Sequence, residues 1–234
     1  MTNAPARYEA HLRSRDLAEA TIRNYLGCLR VFIAWWEKTA GGAFDPQAVT
    51  VLDVASFKNR LLQENRKPAT VNLYLDALSS FFSWAAAEGI CSSDPTEGLK
   101  RIPEQRRAPR WLSQKELGAL FRALQKYGTA KDRALLALLL HTGLRVSEVV
   151  SLQVEDVVIR ERSGLVVVRQ GKGRNYREVP LNATARRMVQ EWLEQHPGGE
   201  RLFPGKSGSL TPRAVQKRFK ELGRLAGVEV CPHR

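Results

Sequence analysis

The 234 residues are poor in the features that mark membrane, secreted or metal-dependent proteins. The longest strongly apolar run, Ala134 to Leu140, falls well short of the ~20 residues that span a bilayer, so no membrane partner is expected. The opening residues, MTNAPARYEAHLRSRDL, have no apolar centre of the kind a secretory leader needs. Cysteine is scarce: Cys28, Cys91 and Cys231 lie far apart, and no two have the spacing of metal ligands or of a redox pair. They are expected as buried or free thiols in a reducing cytoplasm, with no metal site. Internal repeats and low-complexity tracts are also missing. What remains, 43% apolar and 26% charged residues, suits a folded chain of one large or two small domains rather than a disordered one.

Positive charge is what the chain has in excess. The formal net charge is +13, with an isoelectric point near 10.1, and such a field attracts polyanions. Its placement is uneven. Residues 1–100 hold 11 Lys and Arg against 11 Asp and Glu, whereas residues 101–234 hold 26 against 13. The whole excess therefore sits in the second half, and nucleic acid is the expected partner.

The first hundred residues read as helices. Asp16 with Glu19 resembles a capping box, followed by Ile22, Tyr25, Leu26, Leu29, Ile33 and Trp36 at helical spacing. Gly41-Gly42 and Pro46 interrupt the chain, a shorter helix is predicted from about Leu52 to Gln63, and another follows Pro68 and ends near Gly89. The aromatics Trp35, Trp36, Phe81, Phe82 and Trp84 suit a helix-bundle core better than a base-stacking platform. This organisation predicts a helical domain over 1–96, a basic linker over 97–110 carrying Arg106, Arg107 and Arg110, and a second domain over 111–234.

In the second domain Ser113 with Glu116 signals a helix start, and Asp132 to Leu140 predicts a buried helix ended by Gly143. A new helix is predicted to begin near Arg145. The period then changes. Residues 157–159, 165–168 and 176–179 are short β-rich runs that predict a three-stranded antiparallel meander. Asn182 caps a predicted helix to about Gln195, and Thr211-Pro212 opens a last one that Gly227 ends. The fold class is mainly α with a small antiparallel sheet.

Three segments carry candidate chemistry. The first, His141 to Glu148, sets Arg145 just after a buried helix and a glycine, with Glu148 three residues on to orient its guanidinium; an isolated pair of this kind would otherwise be a surface ion pair. The second, Gln170 to Arg174, brackets Lys172 between glycines at a predicted strand turn, where a backbone approaches another molecule closely. By itself that is a turn with a solvated lysine. The third is Pro232-His233.

In this order and separation the segments resemble the tyrosine recombinase (phage integrase) family. TGLRVSEVVSL is similar to its first-arginine box, GKGRNYREVPL to its β-hairpin lysine box, and CPHR to the opening of its His-x-x-Arg box. TIRNYLGCLRVFIAWW and ATVNLYLDALSSFFSWAAAEG resemble its N-terminal core-binding helices, and the arrangement is nearest the compact Xer-type and phage-type members. The resemblance implies that Arg145, Lys172 and His233 are catalytic and that Arg23, Arg106, Arg107, Arg110, Arg174 and Arg213 contact DNA. It implies two lobes clamped around double-stranded DNA and, for the full-length protein, a homo-tetramer on two sites.

The family's reaction attacks a phosphodiester with a tyrosine hydroxyl, giving a phosphotyrosyl link and a free 5′ hydroxyl, so no energy cofactor is required. Arginine forks meet the charge gathering on the non-bridging oxygens. Lys172 protonates the leaving 5′ oxygen, and His233 serves the phosphate or the tyrosine proton. Arg234 falls one place after the histidine and is not the box's arginine. No tyrosine follows Tyr176 in these residues, so these 234 residues are expected to bind DNA without cleaving it, recombination being the activity of the full-length protein. The alternatives are a DNA-binding remnant or regulator at recombination sites, a type IB topoisomerase, which the core-binding helices argue against, and a basic RNA-binding protein, for which no recognition motif is visible.

Overall fold

A computed structural model describes residues 4–15, 17–104, 111–169, 176–205 and 208–230. The chain divides into two compact units, residues 1–107 and 108–234.

Among its described residues the first unit holds four α-helices, α1 (Ala4–Ser14), α2 (Glu19–Ala40), α3 (Val51–Gln63) and α4 (Pro68–Ala87), and a 3-10 turn (Pro46–Ala48). Local chemistry sets their ends. Thr50 and Asp53 form a reciprocal capping box on α3, and Pro68 opens α4 at the first position, where a missing N–H costs nothing. Past α4, Gly89 takes φ +67°, and the N–H groups of Gly89 and Ile90 close on the carbonyls of Ala86 and Ala85, a left-handed stop that glycine adopts without strain. The expected capping box at Asp16 is not the start of α2. Ala18 occupies the cap with no side-chain bond, and Glu19 instead pairs with Arg13 of α1 at 2.8 Å.

Tyr8, Phe32, Phe57, Phe81 and Phe82 are fully buried. They interlock edge to face, as with Phe32 on Phe57 at 5.1 Å and 85°, the arrangement the ring quadrupole favours. Trp35 packs at the margin of this core and Trp36 and Trp84 within it, so the aromatic residues are structural. Residues 97–104 are fastened to the same unit. Leu99 and Ile102 pack on its core, while the buried Asn72 amide donates to the carbonyl of Ile102 at 2.9 Å and accepts from its N–H at 2.8 Å. Arg106, Arg107 and Arg110 lie outside the described residues.

The second unit holds α5 (Gln114–Tyr127), α6 (Ala130–Thr142), α7 (Val146–Ser151), a 3-10 turn (Val154–Asp156), strands β1 (Val157–Ile159), β2 (Gly164–Val168) and β3 (Arg177–Pro180), α8 (Ala183–Glu194), the two-residue strands β4 (Pro204–Gly205) and β5 (Gly208–Ser209), and α9 (Pro212–Ala226). The β1-β2-β3 meander is antiparallel throughout, with Val157 opposite Val166 and Val168 opposite Arg177. The short β4–β5 pair has no apolar alternation and no signal in the sequence.

Helix α6 is the axis of this unit. Ala134 to Leu138 are buried without a break, and their cluster includes Val166, Val189, Phe203 and Phe219. Thr129 caps it with Asp132 as the box partner, two residues earlier than the apolar run alone indicated. Gly143 ends it at φ +64°, turning the chain sharply before Arg145.

Candidate active site and nucleic-acid interface

Arg145 stands at the cap of α7, with φ −69° and ψ 149°, one residue before the helix expected to begin near it. Leu144 and Val146 on either side are buried, so the backbone at this point is gripped by core while the arginine side chain keeps 56% of its surface exposed. Glu148 lies underneath, its side chain 3% exposed. One carboxylate oxygen, Oε2, accepts the Arg145 backbone N–H at 2.8 Å and Nη2 of Arg177 at 2.7 Å; the other, Oε1, accepts Nη1 of Arg145 at 3.0 Å. Burial alone would raise the Glu148 carboxyl; the donors from Arg177 and Arg145 outweigh it and hold its pKa below the usual glutamate range.

The segment that follows repeats this device. Asp156, 4% exposed, accepts the Gln153 backbone N–H at 2.8 Å and Nε of Arg169 at 2.5 Å. A cavity of about 220 Å³ separates the two carboxylates, with Ser151, Val168 and Arg201 in its walls. Arg169 leaves β2 and bonds Asp156, while Arg177 enters β3 and bonds Glu148, so each arm of the hairpin sends one guanidinium to one of the two buried carboxylates. Lys172 and Arg174, between those arms, and His233 lie outside the described residues.

Neither Arg177 nor Asp156 was singled out from the sequence. Strand alternation carried a signal for the first: Arg177 and Val179 are half-buried on one side of β3 and Glu178 is exposed on the other, and an inward arginine needs a carboxylate partner.

Helix α9 adds a cationic surface. Arg213, Lys217, Lys220 and Arg224 are all exposed and follow an i, i+4, i+7, i+11 spacing, which aligns them on one face over about 16 Å. None forms an ion pair among the described residues. Arg218, one place from this stripe, turns the other way. Its Nη2 donates to the buried Asp132 at 2.9 Å and to the Tyr127 carbonyl at 2.9 Å, tying α9 to the α5–α6 corner. Of the arginines expected to contact DNA, Arg213 belongs to the stripe, and Arg23 is exposed on α2 in the first unit.

Among the described residues no group of three or more His, Cys, Asp or Glu side chains is placed to hold a metal ion, and no helix is long and apolar enough to cross a membrane. An outward guanidinium seated on a buried carboxylate, beside a hairpin and a basic helix, is an arrangement suited to phosphate groups.

Comparison with known proteins agrees. The phage integrase family model matches residues 110–234, and the model of the N-terminal SAM-like domain of phage integrases matches residues 6–90. The chain belongs to the phage integrase, or tyrosine recombinase, family. Tyrosine recombinase XerC of Pseudomonas aeruginosa is 34% identical over 232 residues, covering 95% of this chain and 75% of that protein. The XerC of Pseudomonas fluorescens is 31% identical over 238 residues, covering 97% and 77%. In fold, the chain is similar to a lambda integrase dimer bound to a COC′ core site, with a TM-score of 0.76 at 20% identity over 98% of this chain and 80% of that one. It is also similar to a lambda integrase tetramer bound to a Holliday junction, with a TM-score of 0.72 at 21% identity over 97% and 66%.

Proposed function

We propose that this protein acts on double-stranded DNA in the cytoplasm as a site-specific recombinase that assembles as a tetramer on two sites. The observation that carries this reading is Arg145, exposed for more than half of its side chain and anchored on the buried Glu148. Membership of the family and the basic face of α9 support it.

Arg145 presents N–H donors to the non-bridging oxygens of one phosphodiester. Because Glu148 fixes the guanidinium before DNA arrives, little reorganisation is needed as charge builds on phosphorus, the condition under which such donors are most effective. Lys172 protonates the leaving 5′ oxygen and His233 donates to the phosphate, roles that rest on their places in the lysine and histidine boxes. The attacking group of the family's reaction is a tyrosine hydroxyl that none of the five tyrosines in these 234 residues supplies. It displaces the 5′ oxygen and keeps the energy of the broken bond in a phosphotyrosyl link. From that link a 5′ hydroxyl later displaces it, so strand rejoining needs no nucleotide cofactor. Arg23 of the helical unit, Arg106, Arg107 and Arg110, and Arg174 and Arg213 bind the backbone and set register without reading bases.

A selection tests this reading. Random-sequence duplexes passed over the immobilised 234-residue chain should yield one defined sequence that binds roughly tenfold or more tighter than the starting pool at physiological salt. Arg145→Ala should weaken binding to the selected duplex. Failure to enrich any duplex sequence, or equal retention of unstructured RNA, refutes it.

A further inference from the structure

The carboxylate beneath Arg145 serves two arginines, and the second comes from another part of the chain. We propose that Arg177 is a positioning residue: it occupies Oε2 of Glu148 so that Arg145 keeps its outward N–H groups for a DNA phosphate. This rests on Arg145 being a phosphate-binding residue.

Glu148 is almost wholly buried and has two oxygens to satisfy. Arg145 gives it one side-chain N–H, from Nη1 to Oε1 at 3.0 Å, out of the five that a guanidinium carries. The Nε and Nη2 groups of Arg145 make no hydrogen bond among the described residues. Oε2 has two occupants, the Arg145 backbone N–H at 2.8 Å and Nη2 of Arg177 at 2.7 Å, and the second of these takes the place that an Arg145 side-chain N–H would otherwise fill. A buried carboxylate left short of donors is costly. Without Arg177, Oε2 keeps only the Arg145 backbone N–H, and the remaining N–H groups of Arg145 sit on a guanidinium already bonded to the same carboxylate. Guanidinium and carboxylate groups prefer the two-bond fork, so Arg145 would turn inward and close it, withdrawing the donors that face solvent.

Charge points the same way. Two guanidinium groups on one carboxylate leave a net charge of +1, the complement of a single phosphodiester; Arg145 and Glu148 alone are neutral. The strand places Arg177 for this task. It is the first residue of β3, paired with Val168 across the hairpin, and it shares the inward side with Val179. Its side chain is 37% exposed, less than that of Arg145.

A coupling measurement separates this role from direct DNA contact. The probe is a pool of random-sequence 40-base-pair duplexes, titrated against the 234-residue chain at low salt. Arg145→Ala should weaken binding about fivefold, as the loss of one charged phosphate contact does. Arg177→Ala should weaken it to a similar extent, and the double variant no further. Arg177→Lys, which returns a charge and a donor to Oε2, should stay within about twofold of the parent. In nitrogen-15 spectra the Arg145 Nε–H should gain protection from solvent exchange in Arg177→Ala and not in Arg177→Lys. A multiplied loss in the double variant would mean that Arg177 touches DNA on its own account and would overturn the proposal. So would a lysine variant as weak as alanine, or an Arg145 Nε–H that does not change. An effect of Arg145→Ala with a silent Arg177→Ala overturns this proposal alone. If Arg145→Ala itself is silent, the reading of Arg145 falls and this proposal with it.

Discussion

Replacing Glu148 by glutamine is the sharpest perturbation of the site, because it changes charge and one donor–acceptor pattern while leaving volume almost constant. Three donors converge on this side chain. A glutamine amide offers one oxygen and one NH2 group, so at least one guanidinium N–H would meet another donor. Removing one partner of a fully buried ion pair costs about 3–5 kcal/mol, most of it from the buried charge left behind. Here the groups left behind are arginines with side chains 56% and 37% exposed, which water partly re-solvates, so the cost is reduced to about 2 kcal/mol. For a unit of this size that corresponds to roughly 6–8 °C in melting temperature.

The pH dependence is specific. The carboxyl pKa of Glu148 is depressed in the folded state, so its contribution is fully present above the unfolded glutamate value of about 4.3. It is lost as pH falls through the depressed folded value. Calorimetry of both chains from neutral to acid pH, with hydrogen exchange assigning the transition to the second unit, measures this. Glu191→Gln is the control, since Glu191 is 40% exposed and pairs with Arg133 at 3.4 Å; its effect should stay below about 0.5 kcal/mol. A Glu148→Gln loss no larger than the control, or one that persists unchanged in acid, would refute the reasoning.

Arg218→Met should destabilise the second unit by about 2 kcal/mol in urea unfolding at neutral pH, since it leaves the buried Asp132 without its cation; a loss confined to acid pH would contradict this. Changing Arg213, Lys217, Lys220 and Arg224 together to glutamine should flatten the salt dependence of DNA binding by roughly two to four in log–log slope, and an unchanged slope on mobility shift would show that the stripe faces away from DNA. A polypeptide of these 234 residues should form no phosphotyrosyl adduct on a nicked suicide duplex. Tyr8 is buried with its hydroxyl bonded to Ser80 and its pKa pushed up to about 12 by burial, Tyr25 and Tyr74 belong to the helical unit and Tyr127 closes α5, and Tyr176 is bonded to Glu178 at 2.7 Å. A denaturant-stable protein–DNA band that survives Tyr176→Phe would defeat this account.

Much of the architecture was legible in the residue order because its causes are local. The capping box at Ser113, the Thr211-Pro212 start and the glycine stops after α4, α6 and α9 act within one helical turn. The change of period after Leu152 announced the meander, whereas of the four exposed cations of α9 only Arg213 was named from the sequence. The start of α2 was misread for a related reason: a capping pattern at Asp16 is only a local preference, and the chain instead begins the helix two residues later than that pattern requires, at Glu19. The short β4–β5 pair offered too few residues for any period to emerge.

What the order of residues determined, then, was the elements, the sign and placement of charge, and the neighbourhood of Arg145 with Glu148 three positions away. Tertiary structure decided which charges meet. Glu148 receives Arg177 from 29 residues away, Asp156 receives Arg169, and Asp132 receives Arg218 from 86 residues away. No periodicity encodes such pairs, since each forms only when packing of the α6 core brings α7, the hairpin and α9 together and buries a carboxylate that must then be answered. The same burial turns Arg218 inward while its neighbours on α9 stay in water, because a buried carboxylate without a cation costs more than an arginine removed from solvent.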